Sequence, residues 1–478
     1  MQSGLKFGTS GLRGLVEELN GPPAWTYAAA FLAVLAERGE LAPGGPVCVG
    51  RDLRASSPAI AGIVCGAIEA AGYLPVDCGV CPTPALSLYA ATRSAPAIMV
   101  TGSHIPEDRN GLKFYRASGE IDKADEQAIV EAHATLGQPA VMVAARAVEK
   151  ADPLKGYAKR YTDFFPADAL QGLNIGVYQH SSVMREVIVD ILSQLGAVAT
   201  PLGWSDGFVP VDTEAVHPDD LARLKDWAAS QHFDAIVSSD GDADRPLIAD
   251  AQGDVVRGDA IGAITAAALG ADVLVTPLTS NSALEHNKAN AKVLRTKVGS
   301  PFVIAGIQHA QASGAKTVVG FEANGGLVLG STIHGRTGTI AALQTRDAIL
   351  PILATLGEIT RRKQPLSEIV GELGLRSALS NRLQNVPAQK SGPFLESLLS
   401  DGDARKEIEA KIGAIEQLDK QDGVRFLSRS SEVLYFRASG NAPELRCYVE
   451  APDPVRAEEL LQWGLAFAQR HVEAATPR

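Results

Sequence analysis

Three similar α/β units followed by a smaller, different α+β unit is the fold class this sequence predicts. Three observations predict it. The chain has 478 residues, well beyond one ordinary domain and suited to three or four. Strand and helix signals alternate through the first three quarters, the pattern of layered parallel units. The last quarter breaks that alternation with two neighbouring strand signals and then a helix. The predicted boundaries are 1–150, 151–254, 255–362 and 363–478.

In the first unit, Pro46 to Val49 reads as a strand ending at Gly50-Arg51-Asp52. Ser56-Ser57-Pro58 starts a helix with its proline in the first turn. Ile60 to Ala71 continues it and stops at Gly72, Tyr73 to Cys78 is the next strand, and Pro96 to Val100 is a buried one. Gln127 to Leu136 is the last helix. In the second unit Leu173 to Tyr178, Ala197 to Pro201 and Phe233 to Val237 are extended, with helices over Val183 to Leu195 and Leu221 to Ser230. The third has strands at Asp272 to Thr276 and Thr317 to Gly320, and helices at Ala260 to Leu269 and Thr337 to Leu356. In the fourth, Glu432 to Arg437 and Leu445 to Glu450 form a hairpin-like layer, and Ala457 to Gln469 is a helix with an apolar face.

A net charge of −11 argues against nucleic acid as a partner, while local basic loops can still serve an anionic small molecule. No segment reads as a membrane span, and Gly4 to Ser10 already looks like folded protein, so the expected compartment is the cytoplasm. A monomer or dimer is expected. Five cysteines show no disulfide framework, and Cys78-x-x-Cys81 lacks a second thiol pair for zinc. Two small residues packing a strand end is the better reading.

Five loops carry the chemistry. Thr101-Gly102-Ser103-His104-Ile105-Pro106, running on to Asn110-Gly111-Leu112-Lys113, gathers a hydroxyl, an imidazole and an amine after a buried strand. Alone it also fits a turn with local hydrogen bonds, and a serine needs a base or metal to become a nucleophile. Asp240, Asp242 and Asp244, spaced by Gly241 and Ala243, are three carboxylates whose repulsion a hard cation relieves; Mg²⁺ suits phosphate chemistry. Arg245 is placed to hold a phosphate oxygen. Gly8 to Gly14 is a glycine-rich turn carrying Arg13. Gly320 to Gly326 carries Glu322 and Asn324, two apart and able to grip vicinal sugar hydroxyls. Arg437 to Pro443 offers Arg437, Ser439, Gly440 and Asn441 as a phosphate nest, with Arg446 beside it. The nucleotide-binding patterns Gly-x4-Gly-Lys-Ser/Thr and Gly-x-Gly-x-x-Gly are absent in the required context, which disfavours an ATP-dependent kinase.

In this order the loops resemble those of the α-D-phosphohexomutase superfamily, especially its bacterial phosphomannomutase/phosphoglucomutase members. The resemblance spans nearly the whole chain. It implies four domains with mixed sheets around a central cleft and a phosphorylated Ser103. It implies Mg²⁺ held by Asp240, Asp242, Asp244 and the serine phosphate. Arg13, His104, Lys113 and Arg245 fall in the catalytic set, with Lys113 as proton-transfer group. Glu322 and Asn324 match the sugar loop, and Arg437, Ser439, Gly440 and Asn441 the loop for the non-reacting phosphate. Lys297, Gly299 and His309 lie where the family contacts substrate. The implied reaction passes a phosphoryl group from Ser103 to a hexose phosphate, giving a hexose 1,6-bisphosphate that turns over and returns its other phosphate.

The sequence departs from the common pattern in four places. Gly102 stands for alanine, Ile105 for asparagine, Asn324 for the sugar-loop serine, and Gly440-Asn441 for Gly-Thr or Asn-Thr. These read as a subgroup signature and leave the sugar open. Phosphomannomutase leads, with phosphoglucomutase activity shared. A phosphoglucosamine mutase is the nearest rival, and a sugar-phosphate phosphatase or a non-catalytic sensor are the rivals from other classes.

Overall fold

Alternation along the first sheet explains how it is buried on both faces. In the strand Pro46–Arg51, Val47 and Val49 join one apolar core while Cys48 joins another. The neighbouring strand Ala97–Val100 repeats this, with Ile98 and Val100 on one side and Ala97 and Met99 on the other. Side chains of period two with both faces apolar require helices on both sides. The computed structural model describes residues 4–474 except 9, 138, 140, 147, 287–290 and 440–442.

Three sheets share one topology. In the first, Arg109–Arg116, Ala97–Val100, Pro46–Arg51 and Leu74–Val80 lie side by side. The last three are parallel and Arg109–Arg116 is antiparallel to its neighbour. The second sheet repeats the order with Pro246–Asp250, Ala235–Ser239, Asn174–His180 and Val198–Trp204. The third repeats it with Leu327–Leu329, Val318–Phe321, Val273–Pro277 and Lys292–Thr296. The Ser103, Asp240 and Glu322 loops are therefore the same loop three times: the turn from the third strand of a unit into its antiparallel fourth. The last sheet is antiparallel throughout, ordered Ser377–Gln384, Glu444–Ala451, Val433–Ala438, Val424–Ser428 and Ile415–Asp419. The helix Pro454–Ala474 packs on it.

The second and third units share one continuous core, which joins Ile175 and Val177 to Ile261, Phe321 and Ile352. Leu366 and Ile369, on the helix Leu366–Gly371, pack into that core as well. All five cysteines are buried and unpaired, with Cys48, Cys78 and Cys81 in one apolar cluster.

Three element assignments change. The helix expected over Thr337 to Leu356 is a strand, Leu343–Asp347, followed by the helix Ile349–Arg362. The strand pairs with Leu327–Leu329, and the Asp347 carboxylate takes the Ile349 N–H and the hydroxyls of Tyr157 and Tyr161. That carboxylate ends the strand and opens the helix. The helix expected from Val183 runs Val187–Gln194, because the Val183 N–H is used by the carbonyl of Gly241 in the acidic loop. The helix expected from Gln127 runs Lys123–Thr135, started by a capping box between Asp122 and Asp125.

Candidate active site

The nucleophile loop is shaped by a buried ion pair just after the strand Pro46–Arg51. Arg54 bonds Asp52 at 3.2 Å, and both side chains are fully buried. The Arg54 guanidinium donates to four carbonyls of the loop: Ser103, Ile105, Pro106 and Arg109, at 2.5 to 3.1 Å. Asp52 accepts the Thr101 hydroxyl at 2.7 Å, and that hydroxyl oxygen accepts the Ser103 N–H at 2.8 Å. Held this way, Ser103 adopts a left-handed φ of 57°, a conformation that a non-glycine residue keeps only when its surroundings impose it. Glycine at 102 follows from the same clamp: a Cβ there would sit 2.7 Å from the Arg54 guanidinium carbon. Phe208 of the second unit covers that guanidinium with its ring centroid 3.9 Å away.

Ser103 is fully buried against the acidic loop and donates its hydroxyl to Asp240 Oδ2 at 2.5 Å. Its Oγ also lies 3.2 Å from His104 Nδ1. Asp240 Oδ1 accepts the N–H groups of Asp244 and Arg245, which folds the loop back on itself. Burial, with Asp242 and Asp244 adding to it, pushes the Asp240 carboxyl well above the carboxylate range. Burial opposes charge on Asp244 too, but Arg346 and Lys113 outweigh it and hold that carboxyl low. Burial and then Arg245 and Arg13 depress the His104 imidazole, so it is neutral. Lys113 donates to Asp242 and Asp244 at 2.6 Å each, and their attraction exceeds the burial that would lower its ammonium. Lys113 is charged.

The acidic loop fits a hard cation. Carboxylate oxygens of Asp240, Asp242 and Asp244 lie within 4.8 Å of one another. Asp242 Oδ1 and Asp244 Oδ1 are buried with no donor, and a buried acceptor without a donor calls for a partner. The complementary deficit lies beside it, with Arg245 Nε 3.6 Å from Asp244 Oδ1. Arg13 Nη2 and Arg245 Nε are buried donors without acceptors, as an anion site requires. Arg13 is lowered to about 10 by burial and by Arg245, and stays charged at neutral pH.

Above this floor lies a cavity of about 310 Å³ lined by Arg13, His104, Asp212, Glu214, Arg245, Val298, Glu322 and Asn324. Its far wall is the last domain: Ser380, Asn381, Arg382, Arg446 and Tyr448. Ser103, His104, Lys113, Arg13, Arg245, Glu322, Asn324 and the three aspartates are thus brought together. Asn324 turns its Oδ1 to the Gly326 N–H, and its carbonyl accepts the Thr213 hydroxyl. Arg437 is turned aside: its Nε donates to Asp422 at 2.7 Å, and Asp422 also accepts the Val298 N–H. Ser439 pairs its N–H with the Glu444 carbonyl, while Gly440 and Asn441 lie outside the described residues. Lys297 sits next to the cavity-lining Val298, its ammonium over Phe302. Gly299 N-caps the helix Ser300–Ala312, and His309 is exposed near the other end of that helix. The fold does not bring His309 to the cleft.

Sequence reading missed Arg54, Asp52, Arg346 and Arg382. Arg346, 2% exposed, donates to Glu322 at 2.6 Å and to Asp244 at 2.6 Å. The Asp52-x-Arg54 spacing after a strand was the one local signal available.

Comparison with known proteins defines the class. Residues 4–139, 257–374 and 395–462 match the sequence profiles of the phosphoglucomutase/phosphomannomutase alpha/beta/alpha domain I, alpha/beta/alpha domain III and C-terminal domain. The chain is 48% identical over 467 residues to a phosphomannomutase of Sinorhizobium fredii, covering 97% of this chain and 98% of that protein. It is 29% identical over 470 residues to a phosphoglucosamine mutase of Alcanivorax borkumensis, covering 95% and 96%. A crystal structure of a phosphoglucomutase/phosphomannomutase family protein from Burkholderia thailandensis shares the fold, with a TM-score of 0.78 at 20% identity over 98% of each chain. The chain belongs to the phosphoglucomutase/phosphomannomutase family of the α-D-phosphohexomutase superfamily. It is an enzyme of the phosphohexomutase type, and none of its described helices is long and apolar enough to cross a membrane.

Proposed function

We propose that the protein interconverts mannose 6-phosphate and mannose 1-phosphate through a hexose 1,6-bisphosphate and a phosphorylated Ser103, with glucose phosphates as second substrates. The observation that carries this reading is the pairing of deficits around Ser103. Carboxylate oxygens of Asp242 and Asp244 and guanidinium N–H groups of Arg13 and Arg245 are buried there without hydrogen-bond partners, with Arg245 Nε 3.6 Å from Asp244 Oδ1. Asp240, Asp242 and Asp244 would hold Mg²⁺ together with the serine phosphate, and the ion would supply charge stabilisation to the transferring group.

The protein's own groups then divide the work. When the bisphosphate returns a phosphoryl group, the bond from phosphorus to the sugar oxygen breaks and a bond to Ser103 Oγ forms. The serine proton leaves along its 2.5 Å bond to Asp240 Oδ2, while neutral His104, 3.2 Å from Oγ, orients the nucleophile. Charged Lys113 gives a proton to the departing sugar oxygen. The first half-reaction runs the same steps backwards. Arg13 and Arg245 hold the phosphoryl oxygens, and Glu322 and Asn324 grip the sugar. Arg382 and Arg446, which line the cavity, hold the non-reacting phosphate with the Arg437 to Pro443 loop. The four domains follow as 1–150, 151–254, 255–362 and 363–478, and the enzyme works on diffusible hexose phosphates in the cytoplasm as a monomer or dimer.

The test measures rates in parallel on mannose 1-phosphate, glucose 1-phosphate and glucosamine 1-phosphate, each with Mg²⁺ and its matching bisphosphate. Mannose 1-phosphate is expected fastest and Ser103→Ala nearly inactive but folded. A preference for glucosamine 1-phosphate would overturn the sugar assignment in favour of the rival mutase. Full activity in Ser103→Ala would sink the phosphoserine, and stoichiometric release of inorganic phosphate would make the enzyme a phosphatase.

A further inference from the structure

We propose that Arg346 is a positioning residue that couples the sugar loop to the acidic loop, so that hexose phosphate and divalent cation bind cooperatively; this rests on the function proposed above. Its two terminal nitrogens serve different loops. Nη1 donates to Glu322 Oε2 at 2.6 Å and Nη2 to Asp244 Oδ2 at 2.6 Å. A guanidinium can make this bridge because its donors form a rigid planar fork, whereas an ammonium is one centre on a flexible stem.

Each carboxylate is left half engaged. Glu322 Oε1 has no partner among the described residues, and Glu322 lines the cavity. Arg346 therefore fixes one oxygen and leaves the other for a sugar hydroxyl. Asp244 shares Oδ2 between Arg346 and Lys113 and keeps a buried Oδ1 without a donor. The guanidinium sets how that second oxygen is presented to a cation.

Arg346 stands on a strand pinned at both ends. Its strand, Leu343–Asp347, is paired with Leu327–Leu329 just beyond the sugar loop. The adjacent Asp347 is tied to Tyr157 and Tyr161. Gly326 makes room for the side chain: a Cβ there would lie 2.7 Å from Arg346 Cδ. With the strand pinned and no solvent around the guanidinium, a sugar hydroxyl that draws on Glu322 shifts how Arg346 shares its donors with Asp244. Coupling of this kind is reciprocal between the two ligands.

Calorimetric titration of Mg²⁺ into the unphosphorylated enzyme tests this, with no addition, with saturating mannose 1-phosphate and with inorganic phosphate. Inorganic phosphate reports the direct effect of the anion's charge on the cation. In the wild type, mannose 1-phosphate is expected to tighten Mg²⁺ about tenfold more than inorganic phosphate does. In Arg346→Lys that ratio is expected to fall close to one, with Mg²⁺ still bound. In Glu322→Gln, which keeps the contact to Asp244, it should fall likewise. A wild-type ratio of one overturns the coupling, as does a tenfold ratio kept by Arg346→Lys. Should Arg346→Lys fail to fold, Glu322→Gln decides, and a ratio it preserves overturns the proposal. Failure of the underlying function looks different: mannose 1-phosphate titrated by itself into the wild type would then show no saturable binding, whereas a ratio of one with the sugar bound overturns the coupling alone.

Discussion

The floor of the cleft and its fourth-domain wall hold charge in opposite ways. On the floor Lys113, Asp242, Asp244 and Arg346 are all at most 2% exposed, and each is answered by an opposite charge at 2.6 Å. On the wall the Arg382 and Arg446 side chains are 52% and 37% exposed, and pair with Glu444 at only 3.1 and 3.7 Å. Removing one member of a buried pair strands its partner at a cost of about 3–5 kcal/mol, whereas an exposed pair contributes about 0–1 kcal/mol. Stability and chemistry are therefore inseparable on the floor and separable on the wall.

Lys113→Met is the strongest way to break that contrast. It leaves Asp242 and Asp244 without the ammonium they share and should lower unfolding free energy by about 3–5 kcal/mol in metal-free buffer. Adding Mg²⁺ should recover more stability in this variant than in the wild type, because the cation replaces the lost charge. Urea unfolding with and without Mg²⁺ measures both. A loss under about 1 kcal/mol would mean that the floor behaves like a surface.

A smaller effect comes from His180, beneath the acidic loop. It is fully buried, donates its Nε2–H to the Ser239 carbonyl, and leaves Nδ1 unpaired. Burial lowers its imidazole to about 4. Unfolding restores the ordinary value near 6.5, so the unfolded chain binds the extra proton first. The contribution is complete above about pH 6.5 and is lost as the pH falls towards 4. It amounts to roughly 3 kcal/mol across that window. His180→Asn should give a correspondingly flatter dependence of unfolding free energy on pH, whatever its constant offset. Parallel curves for the two proteins would remove His180 from the account.

The two halves were not equally legible in the sequence. Asp240, Asp242 and Asp244 are close in the chain, so their mutual repulsion and the cation that relieves it can be read locally. Ser103 is a weak local signal that gains meaning only beside the acidic loop, 137 residues away. Arg346 was invisible because both its partners are distant, one by 102 residues, and because the alanines and leucine before it looked helical. Pairing with Leu327–Leu329 and the Asp347 carboxylate overrode that propensity. Arg54 escaped for a similar reason, since its work is done on carbonyls some 50 residues on. The α/β repeat was plain from the alternation of strands and helices, but its use of one loop position three times was not, because the three loops share neither length nor residue type. His309 came from resemblance alone, and helical geometry carries it away from the cleft.

The wall supplies the mildest test. Arg446 keeps a buried Nε without an acceptor, and its closest carboxylate is 3.7 Å away, so the folded protein gains little from it. What it offers is a charged donor aimed at a cavity already lined by Arg382 and Ser380. Arg446→Ala should leave urea stability within about 0.5 kcal/mol of the wild type, because an exposed pair contributes so little. KM for mannose 1-phosphate should rise about tenfold with kcat nearly kept, the signature of a contact made equally in ground and transition states. Raising ionic strength should shrink the wild-type advantage, since a half-exposed guanidinium is screened where the floor is not. A fall in kcat matching the fall in kcat/KM would instead place Arg446 with the floor, acting on the transferring phosphate rather than the distant one.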